Sequence, residues 1–210
     1  MAERPLGSSR ASFMRDSPDG VRCDVKKYQI IYADPPWEYK DKHNGNDNKK
    51  YNIINPTYPV MTQGDICNLG INLRSYTANN CILFMWAVFP QLKEALEVIK
   101  AWGFEYKTLG FNWVKTRNNG GYYFGIGHYT KSSSEICLIG MRGKLSEIKV
   151  SDKVHNLVVS PLRGHSRKPD EIRDKIVEFC GDKPRIELFA RQKVEGWDSW
   201  GNEIESDIEL

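Results

Sequence analysis

Apolar residues fall into short blocks divided by polar stretches, and the blocks switch between the periods of strands and helices. Ile30 to Ala33 is an apolar, β-rich run that reads as a buried strand, and Pro35 and Pro36 forbid its continuation. Cys81 to Trp86 (CILFMW) is continuously apolar, the signature of a strand buried on both faces. Further strands are predicted over Tyr106–Lys115, Ser134–Met141, Leu157–Val159 and Arg185–Ala190, with the strand at Ser134–Met141 paired to its neighbour through a turn at Gly143. Three helices lie between them. The first covers Thr62–Leu69 with Thr62 as N-cap. The second runs from Pro90 to Trp102, with Leu92, Leu96 and Ile99 on one face and Gly103 as stop. The third runs from Pro169 to Cys180, with Asp170 and Glu171 favoured by the helix dipole in its first turn. Asp41–Asn55 and Asn118–Lys131 read as long loops. Strands alternating with helices predict an α/β fold, a mostly parallel sheet with helices on both faces.

Composition narrows this to one domain. With 210 residues, 40% apolar and 11% aromatic, the chain supports a single sizeable core. Residues 1–20 are polar and read as a flexible arm, leaving 21–210 as the domain. Thirty Lys+Arg against 27 Asp+Glu give a net charge of only +3, so any nucleic-acid footprint is local. The five cysteines are scattered without a C-x-x-C pair and read as thiols of a reducing, cytoplasmic compartment, and no metal site is expected. No apolar run approaches the ~18 residues of a membrane span.

The chemistry concentrates where the first strand stops. Asp34 and the Pro35 carbonyl put two acceptors side by side at the carboxyl end of a strand, the edge where open α/β sheets bind ligands. Trp37 adds a flat apolar face. The set suits an exocyclic amine on a planar ring: two acceptors on its N–H groups favour pyramidalisation and free a lone pair otherwise delocalised. The rival reading is an ordinary Pro-Pro turn with Trp37 in the core. A second constellation follows the last strand, where Arg191 precedes Gly201-Asn202-Glu203; a carboxylate and an amide there can clamp vicinal hydroxyls and a purine. In a third, Lys168 stands beside a helix N-terminus, a place for a carboxylate or phosphate. The loop at 118–131 interleaves Tyr122, Tyr123, Phe124, His128 and Tyr129 with glycines, flanked by Lys115, Arg117 and Lys131, a mixture suited to stacking on bases and pairing with phosphates.

Taken in order, Cys23-Asp24-Val25, Asp34-Pro35-Pro36-Trp37, Leu83-Phe84-Met85-Trp86, Trp113-Val114-Lys115-Thr116, Gly127-His128-Tyr129, His165 to Glu171, Ile186 to Arg191 and Gly201-Asn202-Glu203 resemble the family typified by the catalytic subunit of the eukaryotic mRNA adenosine-N6 methyltransferase, with its short bacterial and phage members. The resemblance implies a Rossmann-like methyltransferase of permuted order, catalytic strand first and cofactor-proximal strand last, with S-adenosyl-L-methionine as methyl donor. It implies that Asp34, Pro35, Pro36 and Trp37 form the catalytic motif. It further implies that Asp24, Val25, Asp34, Lys168, Glu187, Arg191, Asn202 and Glu203 bind the cofactor, Lys168 through its methionine carboxylate. The eukaryotic subunit has His-Asn where this chain has Lys193-Val194, and glutamine at Glu203.

Methylation of adenine N6 in DNA is the leading expectation, because a bare catalytic domain is typical of the bacterial and phage members. RNA adenine is the alternative, and a silent nucleic-acid-binding partner subunit stands beside it. Methylation of a protein amide is disfavoured, since Asp rather than Asn precedes the prolines. Lys42, Lys49, Lys50, Lys115, Arg117, Tyr122 and His128 are the candidate contacts to nucleic acid, and the chain is expected to act as a monomer or homodimer.

Overall fold

Ile30, Ile31, Tyr32 and Ala33 alternate between two faces, yet all four are buried, so the strand that carries them must lie inside a sheet covered on both sides. It does. In the computed structural model, which describes residues 25–38, 59–125, 129–164 and 167–210, β1 (Tyr28–Ala33) pairs in parallel with β2 (Thr77–Ala87) on one side and β6 (Arg185–Leu188) on the other. The remaining strands are β3 (Glu105–Thr116), β4 (Ser134–Arg142), β5 (Leu157–Pro161) and β7 (Asp198–Trp200). Among the described residues they form one sheet of seven strands, ordered β5-β3-β4-β2-β1-β6-β7. The N-terminal arm and the 41–55 loop, with Asp24, Lys42, Lys49, Lys50 and His128, lie outside the described residues.

The sheet is mostly parallel as predicted, with β4 the exception: it runs antiparallel to both β2 and β3. Its hairpin partner is therefore β3, which precedes it, and the Gly143 turn does not join it to the next strand. Gly143 instead packs on the start of β2, where a Cβ would stand 2.5 Å from the Asn79 carbonyl and the Lys144 N–H donates to Asn80 Oδ1 at 2.9 Å. The reversal puts the first residues of β4 at the edge where β1 and β2 end.

Two helices cover one face, α1 (Gln63–Tyr76) and α2 (Leu92–Ala101). Thr62 caps α1 as predicted, accepting from the Asp65 N–H at 3.2 Å. The helix runs well past Leu69, and Gly70 within it is a point of close approach, where a Cβ would lie 2.7 Å from the Trp102 ring. Pro90 sits in a 3-10 turn, Phe89–Gln91, ahead of α2, and Gly103 at φ 86° ends the helical segment. The other face is covered by α3 (Glu171–Cys180), whose Ile172, Ile176 and Cys180 pack with Tyr32, Phe84 and Trp113. The last predicted strand is cut short. Phe189 takes φ 62°, a left-handed conformation uncommon for a large side chain, and turns the chain out of β6 two residues early. The sequence pattern had no sign of β7, a three-residue strand added beyond it.

Of the described residues, no helix is long and apolar enough to cross a membrane, and no group of His, Cys, Asp or Glu could hold a metal ion.

Candidate active site

Asp34 leaves β1 at its carboxyl end, and the two prolines turn the chain along the sheet edge. The turn is fixed by backbone bonds: the Trp37 N–H donates to the Pro35 carbonyl (2.9 Å), the Met61 N–H to the Pro36 carbonyl (2.9 Å), and the Glu38 N–H to the Met61 carbonyl (3.2 Å). The Pro35 carbonyl thus keeps one of its two lone pairs for another donor. Trp37 is only 8% exposed, its ring packed in the core and its Nε1 donating to the Trp86 carbonyl at 3.2 Å. The flat stacking face expected of it is therefore largely core, and it meets the cleft only as part of the wall.

That cleft, of about 120 Å³, lies between the Pro-Pro turn and the chain leaving β6. Asp34, Pro35, Pro36, Trp37, Lys168, Arg191, Asn202 and Glu203 all line it, so both predicted constellations and the lysine converge on one place. Three cofactor candidates do not. Asp24 is outside the described residues, Val25 is exposed and lines no part of the cleft, and Glu187 is taken by the Arg173 guanidinium through two bonds of 2.7 Å. Burial lifts the Glu187 carboxyl above its ordinary value, with Arg173 restraining it.

Charges alternate across the floor. Lys168 Nζ donates to Asp34 Oδ2 at 2.8 Å and lies 3.3 Å from Glu135 Oε2, while Lys115 donates to the other Glu135 oxygen. The lysine and glutamate side chains are 12% and 10% exposed. Burial disfavours the charge on Asp34 and raises its carboxyl above the usual range, with Lys168 limiting the rise. Burial also opposes the Lys168 ammonium, but Asp34 and Glu135 outweigh it and hold its proton more tightly than usual. The same balance, struck by Lys168 and then Lys115, leaves Glu135 below the ordinary glutamate value. Sequence reasoning missed Glu135. Its signal was present: one carboxylate at the head of the apolar run Ile136-Cys137-Leu138-Ile139.

The opposite wall is held by a close crossing. Gly201 passes so near Ala190 that a Cβ would meet the Ala190 carbonyl at 2.1 Å, and the Ala190 N–H donates to the Trp200 carbonyl at 2.9 Å. The Phe189 and Trp200 rings meet edge to face with centroids 5.4 Å apart. Asn202 and Glu203 follow at the cleft, Arg191 Nε lying 3.7 Å from Glu203 Oε1. Lys193 pairs with Asp207 at 2.7 Å. Of the candidate nucleic-acid contacts, Lys115, Arg117 and Tyr122 are described, and none of the three lines the cleft.

A mixed α/β sheet with an acidic Pro-Pro turn at its carboxyl edge, facing Arg191, Asn202 and Glu203 across one cleft, puts the site where open α/β sheets bind ligands and is consistent with a Rossmann-like methyltransferase. The sequence model of the MT-A70 family matches residues 28–203, and the chain belongs to that family. It is similar to the type II methyltransferase M.MunI of Mycoplasma sp, at 37% identity over 85% of this chain and 78% of that one. It is also similar to the human N(6)-adenine-specific methyltransferase METTL4, at 28% identity over 85% of this chain and 38% of that one. The human N(6)-adenosine-methyltransferase catalytic subunit METTL3 is 26% identical over 90% of this chain, which spans about a third (31%) of that protein's length.

MT-A70 methyltransferases use S-adenosylmethionine as methyl donor, and the donor set here fits it. A carboxylate and an amide suit ribose hydroxyls and adenine, the Phe189–Trp200 pair gives an apolar wall, and Lys168 supplies a buried cation.

Proposed function

We propose that this protein methylates the N6 amine of adenine in DNA, as a single catalytic domain in which Asp34 meets the reacting amine. The observation that carries the reading is the placement of Asp34 in one cleft with Asn202, Glu203 and Lys168. The bound cofactor supplies an electrophilic methyl group on a sulfonium. The chain's own residues do the rest. Asp34 and the free lone pair of the Pro35 carbonyl accept the two N–H groups of the amine, which localises its lone pair for attack. Lys168 and Glu135 hold the Asp34 carboxylate in place, and Asn202 and Glu203 grip the cofactor's nucleoside. The proton released on transfer leaves by way of Asp34. Arg191, at the same cleft, completes the contacts to the cofactor that the resemblance implies.

DNA is favoured by the 37% match over most of its length to a protein named as a type II methyltransferase; the relatives named for adenosine match at lower identity and over about a third of theirs. Incubation with labelled cofactor and matched DNA and RNA pools, followed by nucleoside mass spectrometry, tests this directly. N6-methyladenine is expected in DNA and absent with Asp34→Ala, whose loss of a preorganised partner costs about 3–4 kcal/mol of barrier. Methylation confined to RNA, or undiminished in the variant, would sink the assignment.

A further inference from the structure

Between β3 and β4, residues 116–134 contain no Asp or Glu, while Arg117 and Lys131 contribute positive charge. Within that acid-free stretch three rings stand in solvent: Tyr122 is 61%, Phe124 55% and Tyr129 98% exposed. Burying such rings stabilises a fold by about 2 kcal/mol each, so three left out in one short segment call for a partner.

The segment is anchored where it bears Tyr122 and Phe124. Tyr122 bridges antiparallel to Thr116, the Tyr123 N–H donates to the Lys115 carbonyl at 2.9 Å, and the Gly125 N–H donates to the Ser132 carbonyl at 2.7 Å. In this extended stretch Tyr122 and Phe124 share one side and Tyr123, half-buried, takes the other. The anchoring strand ends also carry Lys115 and Glu135, and Glu135 lines the cleft. Neighbouring strands lie about 4.8 Å apart, so β3, with β2 and β4 between it and β1, runs about 14 Å from the strand that carries Asp34. Among the described residues neither Arg117 nor Lys131 is in an ion pair.

We propose that Tyr122, Phe124 and Tyr129 form a stacking platform for an unpaired nucleotide beside the target adenine, with Arg117 and Lys131 meeting its phosphates. This rests on the DNA reading above. An adenine drawn from a duplex leaves its neighbours unstacked, and aromatic rings replace that stacking whatever the base, while a segment free of carboxylates leaves the phosphates unopposed.

The test uses DNA oligonucleotides carrying 2-aminopurine next to an adenine that the wild-type protein methylates. Quenching is expected on wild-type binding and lost in Tyr122→Ala, Phe124→Ala and Tyr129→Ala, with affinity for a single-stranded 12-mer falling roughly tenfold per ring. Tyr129→Phe should retain both signals. Unchanged affinity for S-adenosylhomocysteine reports that each variant is folded. Equal affinity and quenching in the alanine variants would overturn the platform. So would a change from dimer to monomer in sedimentation, which would make these rings a contact between copies. Loss of the platform with wild-type DNA methylation intact is distinct from failure of the DNA reading, in which no DNA acquires N6-methyladenine.

Discussion

Lys168 holds two carboxylates at once, and that ties the pH dependence of catalysis to a residue that need not touch the adenine. Asp34 must be ionised to accept from an amine, and burial has raised its carboxyl, with Lys168 restraining the shift. The acid limb of kcat/KM should therefore lie above the ordinary aspartate range. Lys168→Met should carry that limb to still higher pH, and Lys168→Arg should return it toward the wild-type position. A limb that stays put in Lys168→Met would detach it from Asp34. Glu135 behaves with the opposite sign. Its folded pKa is lowered, so its stabilisation is full above the unfolded value and is lost as pH falls through the folded one. Glu135→Gln removes the shared partner of two buried lysines and should cost about 3 kcal/mol at pH 7 in urea unfolding. The difference should shrink in acid, where the wild-type carboxyl is protonated too. An equal deficit at both pH values would refute an electrostatic origin.

At the level of elements, the wall proposed to grip the cofactor depends on one glycine more than on its polar neighbours. Gly201→Ala places a methyl 2.1 Å from the Ala190 carbonyl, so the chain after β7 must withdraw from the end of β6, taking Asn202 and Glu203 with it. Calorimetry with S-adenosylhomocysteine should show at least a tenfold loss of affinity; unchanged binding would mean that the clamp lies elsewhere. How legible such features were differs by kind. The buried strands at Ile30–Ala33 and Cys81–Trp86 and the caps at Thr62 and Gly103 were plain, because each follows from local pattern or turn chemistry. The first helix was ended too early, at Leu69, and Gly143 looked like a hairpin turn; the close approach of Gly70 to Trp102 and of Gly143 (φ 77°) to Asn79 depends on residues distant in sequence, which no local pattern shows. The direction of β4 was hidden too, because alternation and burial are identical in strands of either sense. Asp34, Lys168, Asn202 and Glu203 were found by motif and do converge, whereas Glu187 and Glu135 depend on partners far away in sequence, Arg173 for one and two lysines for the other.

For the whole molecule, a net charge of +3 leaves little long-range pull on nucleic acid, so binding should be weak and strongly salt-dependent. If Lys42, Lys49 and Lys50 each neutralise a phosphate, their joint replacement by alanine should flatten the log–log salt slope by about 2.7 on duplex DNA, or about 2 on a single strand, and leave cofactor affinity intact. A parental slope in the triple variant would remove them from the interface. A different consequence follows from the position of β1. The first strand of the described residues is a central one, and its second neighbour, β6, follows 155 residues later (Ile30 pairs with Arg185), with Asn202 and Glu203 later still. Asp34 likewise waits 134 residues for Lys168. During synthesis the growing chain therefore carries the Asp34 carboxylate without a counter-charge and without half of its cleft. On the proposed function, methyl transfer switches on only once the chain has been made through Glu203, and a chain cut short before it is unable to mark nucleic acid.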